Sequence, residues 1–596
     1  MTVVPAQPVD PKYNTPFPNA GPLVQDWVER FNQALTQADT SGLKLLFEMD
    51  SHWRNVLGIG WRFATISGRD SLCDTLHIEA AQAKAAAFVV HPGRLLPAHT
   101  ERAGEPVVES AIAFQTREGQ GLGLLRLRRS DDGQYRAWSL FTALEQLHGV
   151  TARDAARLTY FSAPAGPSSR QGPNWLERRN RGSRFDDKNP QVIVVGGGHN
   201  GISAAVELDQ LGVDTLVVDA YQRVGDNWRQ RYHSLSLHNK TPSNHLPYLP
   251  FPKTFPDYIP KDKIANWLEF YADSLDVNIW TDTRLQSATR NSDNQGWTLH
   301  LLRGDGSNRV VQCAHVVMAT STSGLPSMPD IPGLDQFGGD VIHSSQYADG
   351  RQWRGRDVSV FGTGTSAHDI CQDLHGHGAR VTMVQRSPTM IVNLEPSAQL
   401  YDQIYYNDGP PLEDRDLINA SVPLPIVKKA HKILTEQVRQ LDAPLLAQLA
   451  QVGFELEFGE DNTGWPLKYR QRGGGYYFNV GCSELIASRA IDLIQYRDIQ
   501  TIGQNGLTMV DGSHRPNDLL VMATGYHGQD VAVRHWFGDA VADKVGKVWG
   551  FDETTQELCN MWTKTAQDGL WFTAGAFSQA RIYSKYLAMQ VRAELN

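Results

Sequence analysis

Apolar residues recur at helical spacing early in the chain, where Trp27, Phe31 and Leu35 fall four apart within residues 23–147. Short apolar runs follow, among them ESAIAFQT and GLGLLRLRR, and the combination predicts a helix followed by a curved sheet. The period then stops. Residues 161–190 are rich in Pro, Gly, Ser and Arg, which predicts a linker whose arginines are available to dock on a neighbouring element. From Gln191 onward, apolar runs, glycine-rich turns and helical patterns alternate, as parallel α/β sheets require. One unit occurs twice: QVIVVGGGHNGISAAVELDQLGVDTLVVDA and DVSVFGTGTSAHDICQDLHGHGARVTMVQRSP share a layout, the mark of a duplicated fold and not of a solenoid.

Composition narrows the picture. A chain of 596 residues exceeds a single core and predicts two to four domains. With 41% apolar residues and no run of eighteen apolar positions it reads as globular, and its first residues lack the basic start and apolar run of a secretory signal, so a cytoplasmic protein is expected. A net charge of -9 offers no basic footprint for nucleic acid, and neither a nucleic-acid nor a membrane partner is expected. The five cysteines are scattered, with neither a CxxC pair nor metal-ligand spacing, and read as small buried hydrophobes; no metal is expected.

Gly196, Gly198 and Gly201 form GxGxxG between an apolar run and a helical pattern. Glycines there let backbone N–H groups and the positive end of a helix reach a pyrophosphate. A second run ends in Asp219, about twenty residues on, where a dinucleotide fold needs a carboxylate for ribose hydroxyls. The second unit carries Gly362, Gly364 and Ala367, and its strand ends in Arg386 and Ser387, a cation and a hydroxyl suited to the 2′-phosphate of NADPH. FAD is therefore expected at the first loop and NADPH at the second, with NADH as a possible substitute.

Phe337, Gly339, His343 and Tyr347 in FGGDVIHSSQY match FxGxxxHxxx(Y/F), and with them the chain from Gln191 on resembles the flavin-containing monooxygenases, a group of the class B flavoprotein monooxygenases. Gly225, Asp226, Asn227 and Trp228 resemble that family's GGxW, which implies that Asn227 and Trp228 lie along FAD. Asp518 with Ala523, Thr524, Gly525 and Tyr526 resembles its DxxxxATGY segment. Further cofactor contacts are expected at Asn200, His238, Thr363, Thr365, Ser366, Thr524 and Gln579. Asn239 and His343 are the expected catalytic residues. Two readings of each stand: Asn239 as a catalytic amide or a turn residue before Pro242, and His343 as a catalyst or a hinge between domains. Aromatics of residues 394–475 read either as pocket lining or as core.

The N-terminal part resembles the nuclear-transport-factor-like cone through WVERFNQAL and DSHWRNVLGIGWRFATISGRDSL, an extension shared with type II flavin-containing monooxygenases. The expected fold is thus α/β, with two Rossmann-like dinucleotide-binding domains preceded by an α+β cone. The expected layout is a tail at 1–20, the cone at 21–150 and a linker at 151–190. An FAD domain at 191–345 and 530–596 then surrounds an NAD(P)H domain at 346–529, which holds a helical insertion at about 391–470.

The resemblance implies a monooxygenase working through a flavin C4a-(hydro)peroxide, with Baeyer–Villiger oxidation of small or cyclic ketones beside sulfur and nitrogen oxygenation. It also implies a homodimer whose partners are dioxygen and a small ketone or soft heteroatom substrate. Oxygenation of heteroatoms alone is a second reading. A non-catalytic flavoprotein with a ligand- or partner-binding N-terminal domain is a third. A flavin disulfide reductase needs a close cysteine pair, which this chain does not offer.

Overall fold

The computed structural model describes residues 19–150, 174–292 and 295–595. The expected N-terminal tail, apart from its last two residues, and the linker from 151 to 173 lie outside the described residues. Two compact units emerge: one from Met1–His148 with Pro410–Leu424, the other from Gly149–Gly409 with Pro425–Asn596.

In the first unit the helix Ala20–Thr36 buries Val24, Trp27, Val28, Phe31 and Ala34, with Leu35 only half-buried at the edge of that stripe. The Trp27 and Phe31 rings stack at 4.7 Å, Phe31 meets Phe88 edge-on at 5.0 Å, and Phe88 stacks on Phe114 at 4.8 Å. Aromatic pairs at these distances add to the burial that drives the core. Trp27 donates its indole N–H to Leu46 O at 2.9 Å, which satisfies its polar edge. Seven strands form one sheet around this core. Glu105–Gln115, Gly119–Arg129 and Tyr135–Leu147 pair antiparallel at its centre. Register shifts at Gln120/Gly121 and Arg126/Leu127 mark bulges, the device that bends a sheet.

The helix Leu412–Ala420 joins this first unit, although the sequence places it in the helical insertion of the second nucleotide domain. The reason is electrostatic. Arg126 is 1% exposed and needs acceptors on every side. Glu109 meets it at 2.7 Å and Ser421 Oγ accepts from it at 2.7 Å. Arg94 pairs with Asp414 at 2.6 Å, and Arg54 donates to Ala420 O. A buried guanidinium left short of partners costs several kcal/mol, about 3–5, so the segment that completes its shell is retained there.

The second unit contains two five-stranded parallel sheets. The first runs Ile279–Trp280, Thr215–Val218, Val192–Val195, His315–Met318, Leu570–Phe572. The other runs Asp340–His343, Leu519–Met522, Asp357–Phe361, Arg380–Gln385, Asp492–Gln495. Val192–Val195 and Leu519–Met522 are buried at every position, as strands covered on both faces must be. Each sheet carries a small three-stranded antiparallel appendage, at Thr283–Arg290, Trp297–Arg303, Asn308–Cys313 and at Ile499–Gly503, Gly506–Met509, His514–Pro516. The strand Asp340–His343 belongs to the second sheet, which shifts the expected domain boundary at 345 upstream.

Part of the expected linker is a helix, Trp175–Arg184. It begins with a capping box in which Asn174 accepts from the Glu177 N–H and Glu177 accepts from the Asn174 N–H, so two otherwise unpaired donors are satisfied. Arg179 docks on Val277 O at 2.6 Å, and Ser183 O accepts from the Trp280 indole at 2.8 Å.

Candidate active site

Both glycine loops leave a buried strand and enter a helix whose first turn is open. Gly196 has φ +112°, and a Cβ there would stand 2.6 Å from Ala319 O. Gly362 repeats this with φ +125° and Ala523 O at 2.3 Å. Only glycine holds such a position without strain. A Cβ on Gly201 would stand 1.9 Å from Gly196 O, whereas Ala367 occupies the equivalent place in the second loop and is buried without difficulty. The middle glycines are less hemmed in by backbone: the nearest atom to a Cβ on Gly198 is the side-chain Asn227 Nδ2 at 3.1 Å, and to one on Gly364, Tyr476 O at 3.9 Å. Each loop therefore leaves a cradle, at the N-terminus of a twelve-residue helix, that a side chain would fill.

Asp219 closes the first loop from below. Its carboxylate accepts from the Gly197 N–H and from Tyr221 N at 2.8 Å, and burial raises its pKa despite those bonds. Asn200 donates to Gly575 O at 3.0 Å, and His199 reaches the same carbonyl at 2.8 Å. The His199 ring stacks on Phe577 at 4.2 Å, and burial pushes it down to about 4, so it is neutral at physiological pH. The C-terminal helix Phe577–Glu594 thus starts beside the first loop, with Gln579 Oε1 accepting from Ala576 N at 3.0 Å to cap it. Phe577 escapes a reading by motif, because its place is set by a helix almost four hundred residues downstream.

At the second loop, Thr363 and Thr365 brace the frame. Thr363 Oγ1 meets Thr389 Oγ1 at 2.6 Å, and Thr365 donates to Tyr476 O at 3.2 Å. Arg386 and Ser387 stand exposed after strand Arg380–Gln385, and among the described residues no carboxylate pairs with Arg386.

The two halves of the second unit share one cleft of about 1310 Å³. The second loop, Ser366, Arg386 and Ser387 line it together with Trp228, His238, Thr524 and Tyr526. Among the described residues, Trp228 Nε1, Arg231 Nε and Tyr526 Oη are buried on this cleft with no hydrogen-bond partner. Buried polar atoms are rarely left so, and three around one cleft fit a polar ligand that completes them. Burial holds His238 at about 4, neutral beside Phe478 at 4.4 Å. Thr524 is fixed by donating to Ser327 O at 2.6 Å.

Several lining groups have no motif to reveal them. Asp369 accepts from the Tyr232 hydroxyl at 2.7 Å, and burial pushes its carboxyl up to about 6. Lys468, buried against Glu457, is pushed down to about 8 by desolvation and then by the charge of Arg472. These residues lie far apart in sequence and meet only in the fold.

The two expected catalytic residues are placed differently from the expectation. Both ring nitrogens of His343 are engaged, Nδ1 with Ser345 Oγ at 2.9 Å and Nε2 with Gly525 O at 2.9 Å. It therefore pins the fingerprint to the ATGY segment, with both ring nitrogens occupied. Asn239 directs its amide nitrogen at Asp402 Oδ2, 2.7 Å away, so a donor role toward a bound ligand falls to at most one remaining N–H. Four of the five cysteines are buried as expected. Cys559 is only half-buried, and all five are free thiols.

The family model for pyridine nucleotide-disulphide oxidoreductases matches residues 193–404. The chain is 27% identical over 354 residues to indole-3-pyruvate monooxygenase YUCCA1 of Oryza sativa subsp. japonica, covering 59% of this chain and 79% of that protein. It is 32% identical over 208 residues to the probable indole-3-pyruvate monooxygenase YUCCA3 of Arabidopsis thaliana, covering 34% and 48%. Over more than half of its length the chain is thus similar to flavin monooxygenases. These similarities indicate an oxidoreductase, and the flavin monooxygenases that it resembles depend on FAD and NADPH. Among solved structures, a flavin-containing monooxygenase from Stenotrophomonas maltophilia is similar with a TM-score of 0.46 at 18% identity, over 68% of this chain and 99% of that one. Among the described residues no helix is long and apolar enough to cross a membrane.

Proposed function

We propose that this monooxygenase acts on a small carbonyl compound, inserting one oxygen atom beside the carbonyl as in the Baeyer–Villiger oxidation of small or cyclic ketones, with sulfur and nitrogen oxygenation as accompanying activities. FAD lies at the Gly196–Gly201 loop and NADPH at the Gly362–Ala367 loop. The observation that carries this reading is the shared cleft, where the second loop faces Trp228, His238 and Tyr526, with three buried polar atoms awaiting partners. When bound, FAD supplies the transfer of reducing equivalents and the activation of dioxygen, which no side chain performs.

The protein's own residues bind and orient. Arg386 and Ser387 take the 2′-phosphate, the open helix ends receive the pyrophosphates, and the neutral rings of His199 and His238 pack without offering a proton. The relatives named for indole-3-pyruvate, a 2-oxo acid, support a carbonyl substrate. The bulged sheet packed around the helix Ala20–Thr36 supports reading the N-terminal unit as a nuclear-transport-factor-like cone.

A product screen over cyclic ketones, 2-oxo acids, thioethers and tertiary amines, with NADPH consumption followed, tests the assignment. Ester, lactone or decarboxylated acid is the expected product. Thioether oxidation with no carbonyl product would refute the carbonyl assignment and leave the monooxygenase intact.

A further inference from the structure

The segment bearing Asn239 is gripped by residues 394–406 of the insertion. Gln399 donates to His238 O at 3.2 Å and to Leu394 O at 3.1 Å. Lys240 N donates to Tyr406 Oη at 3.2 Å, and Lys240 Nζ pairs with Glu395 at 2.7 Å. On the other side, Asn244 donates to Asn239 O at 2.9 Å. The backbone around Asn239 is thus fixed from two directions, and its side chain meets Asp402 Oδ2 at 2.7 Å with the Tyr406 hydroxyl beside it.

An asparagine amide has two ends of nearly the same shape, so packing alone does not decide which one points where. A carboxylate does, because it is acceptor-only when ionised. We propose that Asp402 is the positioning residue for Asn239: it draws the amide nitrogen inward and leaves the carbonyl oxygen Oδ1 as the outward end. Asn239 then presents an acceptor, suited to a ligand that has an amide N–H to give, such as the carboxamide of nicotinamide. This inference rests on the reading that Asn239 faces the reacting groups. The groups facing Asp402 are Asn239, Tyr406 and Arg470; desolvation raises its carboxyl pKa, while the Asn239 amide and the Arg470 charge oppose that. The Tyr406 hydroxyl, the other group at the Asn239 amide, can donate or accept, so the ionised Asp402 is the partner that distinguishes the two ends.

The test uses the full-length, FAD-loaded enzyme with Asp402→Asn, Asn239→Leu and the double variant. Asp402→Asn keeps the shape of the side chain but accepts or donates with equal ease, which frees the Asn239 amide to turn over. Two quantities are read: the dissociation constant of NADP+ and the share of NADPH equivalents lost as hydrogen peroxide. Asp402→Asn is expected to weaken NADP+ and raise the peroxide share, each by about threefold or more, in the same direction as Asn239→Leu. The double variant is expected to be no worse than Asn239→Leu, the non-additivity of residues that act as a unit. If Asp402→Asn matches the wild type while Asn239→Leu departs from it, or if the two effects simply multiply, the positioning role is overturned and Asn239 keeps its own. If Asn239→Leu also matches the wild type, the reading of Asn239 falls and the positioning role with it. Should Asp402→Asn lower the thermal midpoint, Asp402→Glu retains an acceptor-only headgroup and is expected to restore NADP+ affinity; failure to restore it overturns the proposal.

Discussion

The two glycine loops share a backbone and differ in what surrounds it. At the first, Gly201 packs so closely on Gly196 O that a methyl group has no room, and the strand end supplies a buried carboxylate held by two backbone N–H groups. At the second, Ala367 fits, and the strand end supplies an exposed cation. The first site is closed by the C-terminal helix through His199, Asn200 and Gly575, whereas the second opens on the wide cleft. On the proposed assignment, the more closed site suits a cofactor that stays and the open one a coenzyme that must exchange.

The largest effect should come from filling one cradle at a time. Gly198→Trp is expected to abolish FAD retention, read as loss of visible absorbance in the purified protein, because the indole occupies the space of the pyrophosphate. Gly364→Trp is expected to keep the flavin and lose NADP+ binding. A Gly198→Trp protein with full flavin content would remove the first loop from the flavin site.

A smaller effect separates the loops by pH. Burial lifts the Asp369 carboxyl from its ordinary 3.8 to about 6 in the fold. A raised folded pKa means that its contribution to stability is present below about pH 4 and is lost as pH rises through about 6, an order-of-magnitude ~3 kcal/mol across that window. Thermal midpoints measured from pH 4 to pH 7 should fall more steeply in the wild type than in Asp369→Asn, which has no proton to lose. Parallel curves would show that the Tyr232–Asp369 contact does not titrate in this range.

The smallest effect is the most selective. Arg386→Ala should raise the Michaelis constant for NADPH by about tenfold to a hundredfold, corresponding to roughly 1.5–3 kcal/mol for a charge-assisted phosphate contact, and leave that for NADH nearly unchanged. Equal losses with both coenzymes would mean that Arg386 supports the loop and does not read the phosphate.

Much of this organisation is legible in the chain alone, because it depends on local sequence. Strand, glycine turn and helix follow one another within about thirty residues, so Gly196–Gly201 and Gly362–Ala367 declare both dinucleotide folds. The stripe of Trp27 and Phe31 likewise announces its helix, since side-chain period is a property of the backbone. What the sequence could not determine are the contacts that close over long separations. Only the tertiary structure brings Asp402 to Asn239 and engages both nitrogens of His343. Only it assigns Leu412–Ala420 to the N-terminal unit, where a buried Arg126 demands acceptors that its own strands do not fully supply. A buried charge or an amide of ambiguous orientation takes its partners from wherever the fold delivers them, and no spacing along the chain records that choice.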